Sequence, residues 1–489
     1  MTWERNIMNN KFYITSAIPY VNAKPHIGHA LEFIQADTIA RYHRVLGDDT
    51  LYLSGSDENA LKNVQAAEKE GIPVPEFVDR NAETFVELAR VLGVKFDVFQ
   101  KGSDPKHHAA SQKLWELCAQ NGDIYKKTYT GLYCVGCEAF YTPQELNENG
   151  ECFEHPGRKL EEVSEENYFF RLSKYQDRLL KLIESREYDI VPDFRRNEVL
   201  TFLKSGLEDF SVSRSNTRAK NWGVPVPGDP SQRIYVWFDA LNIYQSGIGY
   251  GWDDETYKLW WPADLHVIGK GIIRFHAIYW PAILLSAGLP LPKKLFVHEY
   301  FTVNGQKMSK TVGNVYDPVP LARQYGADAL RYYCLAKISP FSDGDFSEEK
   351  FKESYNADLA NGLGNLVARV AKLCENAHYK QMGSENGSST HLLEVGEYTE
   401  AMQNFKFNEA LEYIWGRITE LDQFINQEKP WELIKKNSPR TEAVLAHAVD
   451  GLQEIAALLE PFLPDTAAKI TEQFKGPEIK STFSLFPRI

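Results

Sequence analysis

Long apolar runs are missing from this chain. No stretch of about 18 consecutive apolar residues occurs, so no membrane-spanning helix is expected. The opening segment, Met1 to Asn10, lacks the apolar core of a secretory signal. Cysteine is scarce, six residues in 489, which excludes a disulfide-built scaffold and suits a reducing, cytoplasmic compartment. Positive charge is in deficit: 54 Lys and Arg against 67 Asp and Glu leave a formal net charge of −13. That excludes a uniformly basic coat, but leaves room for the local basic face that phosphate contact needs. No internal repeat is present. The length exceeds one ordinary domain and can bury ample core without staples.

What is present starts near the N-terminus. Phe12 to Thr15 reads as a buried strand, and Pro19 and Asn22 mark a turn after it. Pro25 suits the first position of a helix, and Ile27, Leu31, Ile34, Thr38 and Ile39 follow helical spacing. His26 and His29 therefore share one face of a helix N-terminus, a place that attracts phosphate. Histidine donates hydrogen bonds to phosphoryl oxygens without a permanent charge, and Gly28 between the two admits a close approach. Alone, the pair fits an ordinary helix equally well. Far downstream, Leu295 to Val303 reads as strand and Asn304-Gly305 as a turn. A polar loop then carries Lys307, Met308, Ser309 and Lys310, whose ammonium groups can neutralise charge developing on a triphosphate. In this order the two motifs describe a clamp on ATP phosphates from two sides.

The pair resembles the active-site signature of class I aminoacyl-tRNA synthetases. The residues between them are similar to methionyl-tRNA synthetases in particular: Ala17 to Asn22, Tyr235 to Ala240, His266 to Lys270, Phe275-His276 and Asp343 to Phe346. The resemblance implies His26, His29, Lys307 and Lys310 as catalytic groups, and Gly28, Gly269, Lys270, Met308 and Ser309 as ATP contacts. It implies a methionine pocket of Ile18, Tyr20, Trp237, Ala240, Leu241, Tyr244, Ile272 and His276, with Asp57 for the amino group. Trp237 and Tyr244, seven apart, share a face if that segment is helical. Asn365, Arg369 and Trp431 match anticodon-reading positions, where an unstacked base can stack on Trp and be read by Arg and Asn. The implied partners are tRNA(Met), L-methionine and ATP with Mg²⁺. Two departures stand out: Asn59 and Ala60 follow Asp57-Glu58 where relatives often have His-Gly, and Gly271 replaces a frequent Asp. They put the ATP and ribose contacts in question.

The implied fold class is α/β: a Rossmann-like parallel sheet split by a zinc-bearing insertion, followed by an all-α bundle. Residues 1–111 and 223–303 form the two catalytic halves, 112–222 the insertion, 304–354 the Lys307 loop and linker, and 355–489 the helical anticodon domain. Leu359, Leu363, Leu366, Val367 and Val370 repeat at helical spacing, Ser384 to Ser389 is loop-like, and helical patterns run from Tyr398 to about Gln473. In the insertion, Cys134 and Cys137, then Cys152 and His155, form C-x2-C and C-x2-H pairs with 14 residues between them. That spacing can close a tetrahedron round one structural Zn²⁺; the alternative is a metal-free pair of turns. Cys118, Cys334 and Cys374 lie on apolar helical faces and read as core. No module follows the helices, which favours a monomer. Two rivals remain: a synthetase for leucine, isoleucine or valine, which would need a larger editing insertion, and a tRNA-binding protein that has lost catalysis.

Overall fold

A computed structural model describes residues 10–134, 139–141, 146–152, 157–308, 315–380, 396–482 and 484–489, with backbone alone at 129, 139, 140 and 307. Its centre is a six-stranded, wholly parallel sheet of β1 (Lys11–Ser16), β2 (Asp49–Ser56), β3 (Val98–Lys101), β4 (Asp189–Val191), β5 (Leu265–Gly269) and β6 (Lys294–His298). The spatial order is β3-β2-β1-β5-β6-β4. A parallel sheet is covered on both faces, so its strands read as near-continuous apolar runs. Ile14, Tyr52, Val267 and Phe296 bury against α1 (Ile27–Val45) and α2 (Val74–Val91) on one face. Tyr13, Leu53, Ile268 and Val297 bury on the other, against Leu114, Trp115 and Ile283.

β1 and β5 are direct neighbours, with Ile14 opposite Leu265, although most of the first half of the chain lies between them. The chain order reverses there, and ligands of α/β sheets bind in the crevice at such a point. The expected 112–222 insertion is not wholly outside this sheet. It builds an antiparallel sheet from Ile124–Cys134, Ala139–Tyr141, Glu161–Phe170 and Phe210–Ser211, yet also returns as the edge strand β4, with Asp189 beside Lys294.

Beyond β6, β7 (Phe301–Val303) and β8 (Gln306–Lys307) form a hairpin whose turn residues, Asn304 and Gly305, both have positive φ, 52° and 73°. An Asn-Gly pair suits such a turn. β9 (Gly344–Phe346) flanks β7 in parallel, and Asp345 accepts from the Gly305 N–H.

The C-terminal third is helical. Leu359, Leu363, Leu366, Val367 and Val370 are all buried, as their spacing predicts, although Tyr355–Gly364 is wound as a π-helix before the α-helix Asn365–Asn376. The Ser384–Ser389 stretch lies outside the described residues. A buried ion pair joins this helical region to α1. Arg331, fully buried on the helix Ala327–Ala336, meets Asp37 of α1 at 2.7 Å and donates to the carbonyls of Phe462 and Pro461. Burial works against charge on Asp37, but Arg331 and Arg41 hold its carboxyl below the usual range.

Candidate functional site

α1 begins at Ile27, two residues later than Pro25 suggests, because a histidine ring supplies the cap. His26 is the N-cap; its Nδ1 accepts from the Gly28 N–H at 3.1 Å, and His29 Nδ1 accepts from the His26 N–H at 3.1 Å. With both Nδ1 atoms accepting, each ring when neutral carries its proton on Nε2. The rings stack at 3.9 Å between centroids, and His29 rests edge-on against Phe85.

Met308 of the second motif arrives here. A Cβ built on Gly28 would lie 3.0 Å from the His26 ring and 3.4 Å from Met308 Cε, so only glycine fits without displacement. The Ile27 N–H donates to the Tyr316 carbonyl at 3.0 Å, tying the start of α1 to the chain just past the second motif. Lys307 is the last residue of β8, paired with Thr302. Its side chain, and all of Ser309 and Lys310, lie outside the described residues.

At the end of β5, a Cβ on Gly269 would come within 2.9 Å of the Tyr300 ring. Lys270 follows, but its ammonium is neutralised inside the protein by Glu299 at 2.8 Å and Asp343 at 2.6 Å. Burial opposes its charge, while these two carboxylates hold it above the ordinary lysine value. Glu299, which the sequence did not single out, is also held by Arg195. Gly271 donates its N–H to the Tyr300 hydroxyl at 2.7 Å. Thus Glu299 and Asp343 supply acid around Lys270 where residue 271 has none.

Several of the residues expected to form the methionine pocket come together. Tyr20 bridges to Asp57, whose N–H donates to the Pro19 carbonyl. Asp57 is buried. Trp237 lies flat on Phe275 at 3.8 Å and edge-on to Tyr20 at 6.2 Å. The segment is helical, as Val236–Leu241 and Ile243–Ser246, and Trp237 and Tyr244 both face His276. His276 Nδ1 donates to the Ile272 carbonyl at 3.0 Å, which leaves Nε2 to accept from the Tyr244 hydroxyl at 2.8 Å. Burial brings His276 down to about 4 and raises Tyr244, so this wall is neutral. Ala240 and Leu241 are buried; Ile18 and Ile272 are half-buried. Two further residues back the pocket: His266, 4.5 Å from the Tyr244 ring, and Thr15, hydrogen-bonded to it at 2.6 Å. Phe275 and His266 stand inside quoted motifs; Thr15 carries no sequence signal beyond its strand.

Asn59 is engaged by its own neighbours. Its Nδ2 donates to the Gly102 carbonyl at 2.8 Å and to Asp239 Oδ2 at 2.6 Å. The other oxygen of Asp239 meets Ser111 and His107. In the helical domain Asn365 is exposed, while Arg369 is held by Asp422 at 2.6 Å and Asn426 at 3.1 Å. Trp431 is 37% exposed at the start of Pro430–Lys435. Of the cysteine cluster, Cys134 and Cys152 are buried with sulfurs 3.3 Å apart, too far for a disulfide. Cys137 and His155 lie outside the described residues. Cys118, Cys334 and Cys374 are core, their thiols pushed up to about 12 by burial.

Two family profiles match the chain: one described as tRNA synthetases class I (M), over residues 12–371, and one described as the anticodon binding domain of methionyl tRNA ligase, over 382–483. The methionine–tRNA ligase of Thermotoga maritima is 44% identical over 472 residues, covering 94% of this chain and 74% of its own length. That of Brucella melitensis is 42% identical over 487 residues, covering 97% and 93%. Mycobacterium tuberculosis methionyl-tRNA synthetase in complex with methionyl-adenylate superposes with a TM-score of 0.90 at 36% identity, over 98% of this chain and all of the other.

Proposed function

The chain belongs to the methionyl-tRNA synthetases of class I, and from that premise we propose that it joins L-methionine to tRNA(Met) at the expense of ATP. A methionine carboxylate oxygen attacks the α-phosphorus, the bond to the bridging β-phosphate oxygen breaks, and pyrophosphate leaves. A terminal ribose hydroxyl of tRNA then attacks the carbonyl carbon of methionyl-adenylate. The bond to the AMP phosphate breaks, and AMP departs with the hydroxyl proton. Magnesium accompanies the ATP phosphates as part of that substrate.

The observation that carries this reading is the approach of Met308 to Gly28 beside the stacked rings of His26 and His29 at the start of α1. His26 and His29 donate to phosphoryl oxygens from one side, and Lys307 and Lys310 bring positive charge from the other. Gly28, Gly269, Met308 and Ser309 line the nucleotide; Lys270 acts through its carboxylate network. Asp57 binds the ammonium group of methionine. Ile18, Tyr20, Trp237, Ala240, Leu241, Tyr244, Ile272 and His276 take the thioether by shape and sulfur–aromatic contact. Asn365, Arg369 and Trp431 read the anticodon. Charging tRNA(Met) transcripts with radiolabelled methionine tests this. A transcript with the anticodon CAU should be acylated and one with an altered anticodon should not; equal charging of both would remove the anticodon assignment.

His276 is neutral in this pocket, so methionine affinity is expected to stay constant from about pH 8 to about pH 5, weakening only towards about 4. Calorimetric titration across that range checks it; a midpoint at the ordinary histidine value of 6.5 would contradict it. Stability follows the same sign. Between 6.5 and about 4 the unfolded chain binds a proton that the folded chain refuses, so stability falls as pH drops through that window.

Two thiolates on one tetrahedral zinc sit about 3.8 Å apart, close to the separation of Cys134 and Cys152. That supports one structural Zn²⁺ on Cys134, Cys137, Cys152 and His155. Elemental analysis should find one zinc per chain, and its chelation should lower the melting temperature without abolishing methionine binding. A zinc-free preparation of equal thermal stability would contradict this. Among the described residues no helix is long and apolar enough to cross a membrane. A monomer in the cytoplasm is the setting this reading carries with it.

A further inference from the structure

Beside the methionine pocket lies a second cavity of about 470 Å³, within the range of small-ligand sites. It sits at the C-terminal ends of β2 and β3, the sheet edge where α/β proteins bind ligands. Asn59 follows β2 and Ser103 follows β3; Trp222 and Gly223 close it from the end of the insertion.

Three polar atoms in its wall are buried without a protein partner: Asn59 Oδ1, His108 Nε2 and Arg233 Nε. The Asn59 amide is oriented by its neighbours. Acceptors on Gly102 and Asp239 take both Nδ2 bonds, and the oxygen is left without a protein partner. Arg233 is half-buried, and its Nη1 meets only backbone carbonyls. Burial alone acts on it, weakening its hold on the proton, with no neighbouring carboxylate to compensate. The one acid in the lining, Asp79, is already paired with Lys101. A cation partly stripped of water and left unpaired is costly until an anion arrives. Trp222 offers its face, its indole N–H being committed to the Glu58 carbonyl at 2.7 Å. The lining thus combines an aromatic face, an acceptor, a ring nitrogen and a cationic donor. That set fits a nucleotide: a base to stack, an edge to read, a phosphate to pair.

Position decides which nucleotide. Asn59, in the wall of this cavity, is bonded to Asp239, two residues beyond Trp237 on the same short helix. The ATP clamp lies elsewhere, at His26 and Met308. We propose that this cavity receives the 3′-terminal nucleotide of the tRNA, stacking its base on Trp222 and pairing its phosphate with Arg233, so that the terminal ribose is presented to the methionyl-adenylate. This rests on the synthetase reading above.

The test separates the two half-reactions. Arg233→Ala should leave methionine-dependent pyrophosphate exchange within about twofold of wild type and slow single-turnover transfer from preformed methionyl-adenylate to tRNA by about tenfold or more. Unchanged transfer with intact exchange would overturn the proposal. Absence of exchange in the wild type would instead sink the synthetase reading. A second experiment needs no variant: tRNA carrying 8-azidoadenosine at its 3′ end is photocrosslinked to the wild-type protein. Label on a peptide within 221–233 supports the site, and label confined to other peptides removes it.

Discussion

His29→Ala is expected to slow methionine-dependent pyrophosphate exchange by about 100- to 1,000-fold, the usual cost of removing one donor aimed at developing charge. The ring has two jobs. Its Nδ1 accepts from the His26 N–H and so helps to cap α1, and its Nε2–H is the proposed donor to a phosphoryl oxygen. Loss of the cap alone costs about 1 kcal/mol of stability, far less than the kinetic loss. His29→Gln separates the two, because Gln at the third helical position also closes a capping box. Its melting temperature should stay near wild type while exchange remains at least about tenfold down. If His29→Ala loses stability but keeps exchange, the histidine is only a cap and the phosphate clamp is wrong.

Arg331→Met is expected to destabilise the protein by about 3–5 kcal/mol, the range for breaking a buried pair by removing one partner. Asp37 would then lie in the interior with Arg41 as its remaining cationic contact. The Phe462 and Pro461 carbonyls would lose their donor. Asp37→Leu together with Arg331→Met should recover part of the loss, since a buried ion pair replaced by apolar groups of similar volume is often near neutral. The carboxyl of Asp37 is held below its unfolded value, so the pair's contribution is present above the usual carboxylate range and lost as pH falls through and below it. That acid-side loss should shrink in the double variant. Urea unfolding of the wild type and the two variants measures all of this. An Arg331→Met variant of wild-type stability would show that the helical domain is not anchored to α1 through this pair.

The two motifs proposed to hold ATP stood out because their residues are local in sequence. Two histidines three apart at a helix start, and an Asn-Gly turn before a lysine pair, need no distant partner to be recognised. The helix start was misplaced by two residues because the usual proline rule does not anticipate a histidine side chain as N-cap. Other features depend on residues far apart in sequence. Asn59 looked like a change in the nucleotide contacts, yet its partner Asp239 stands 180 positions away. Lys270 read as an ATP contact, and its neutralising Asp343 is 73 positions away. β4 is three residues long and carries no periodicity to distinguish it from insertion, so its return to the main sheet was invisible. The Arg331–Asp37 tie spans 294 positions and likewise left no local mark.

Amino-acid-dependent pyrophosphate–ATP exchange, run across the twenty standard amino acids with homocysteine added, tests the account most directly. Exchange with methionine, and weaker exchange with homocysteine, is the predicted result, since one methylene in an apolar pocket discriminates by only about 1–3 kcal/mol. Strong exchange with leucine, isoleucine or valine would contradict the pocket assigned to Trp237, Tyr244 and His276. No exchange with any amino acid, from folded protein, would contradict the synthetase itself.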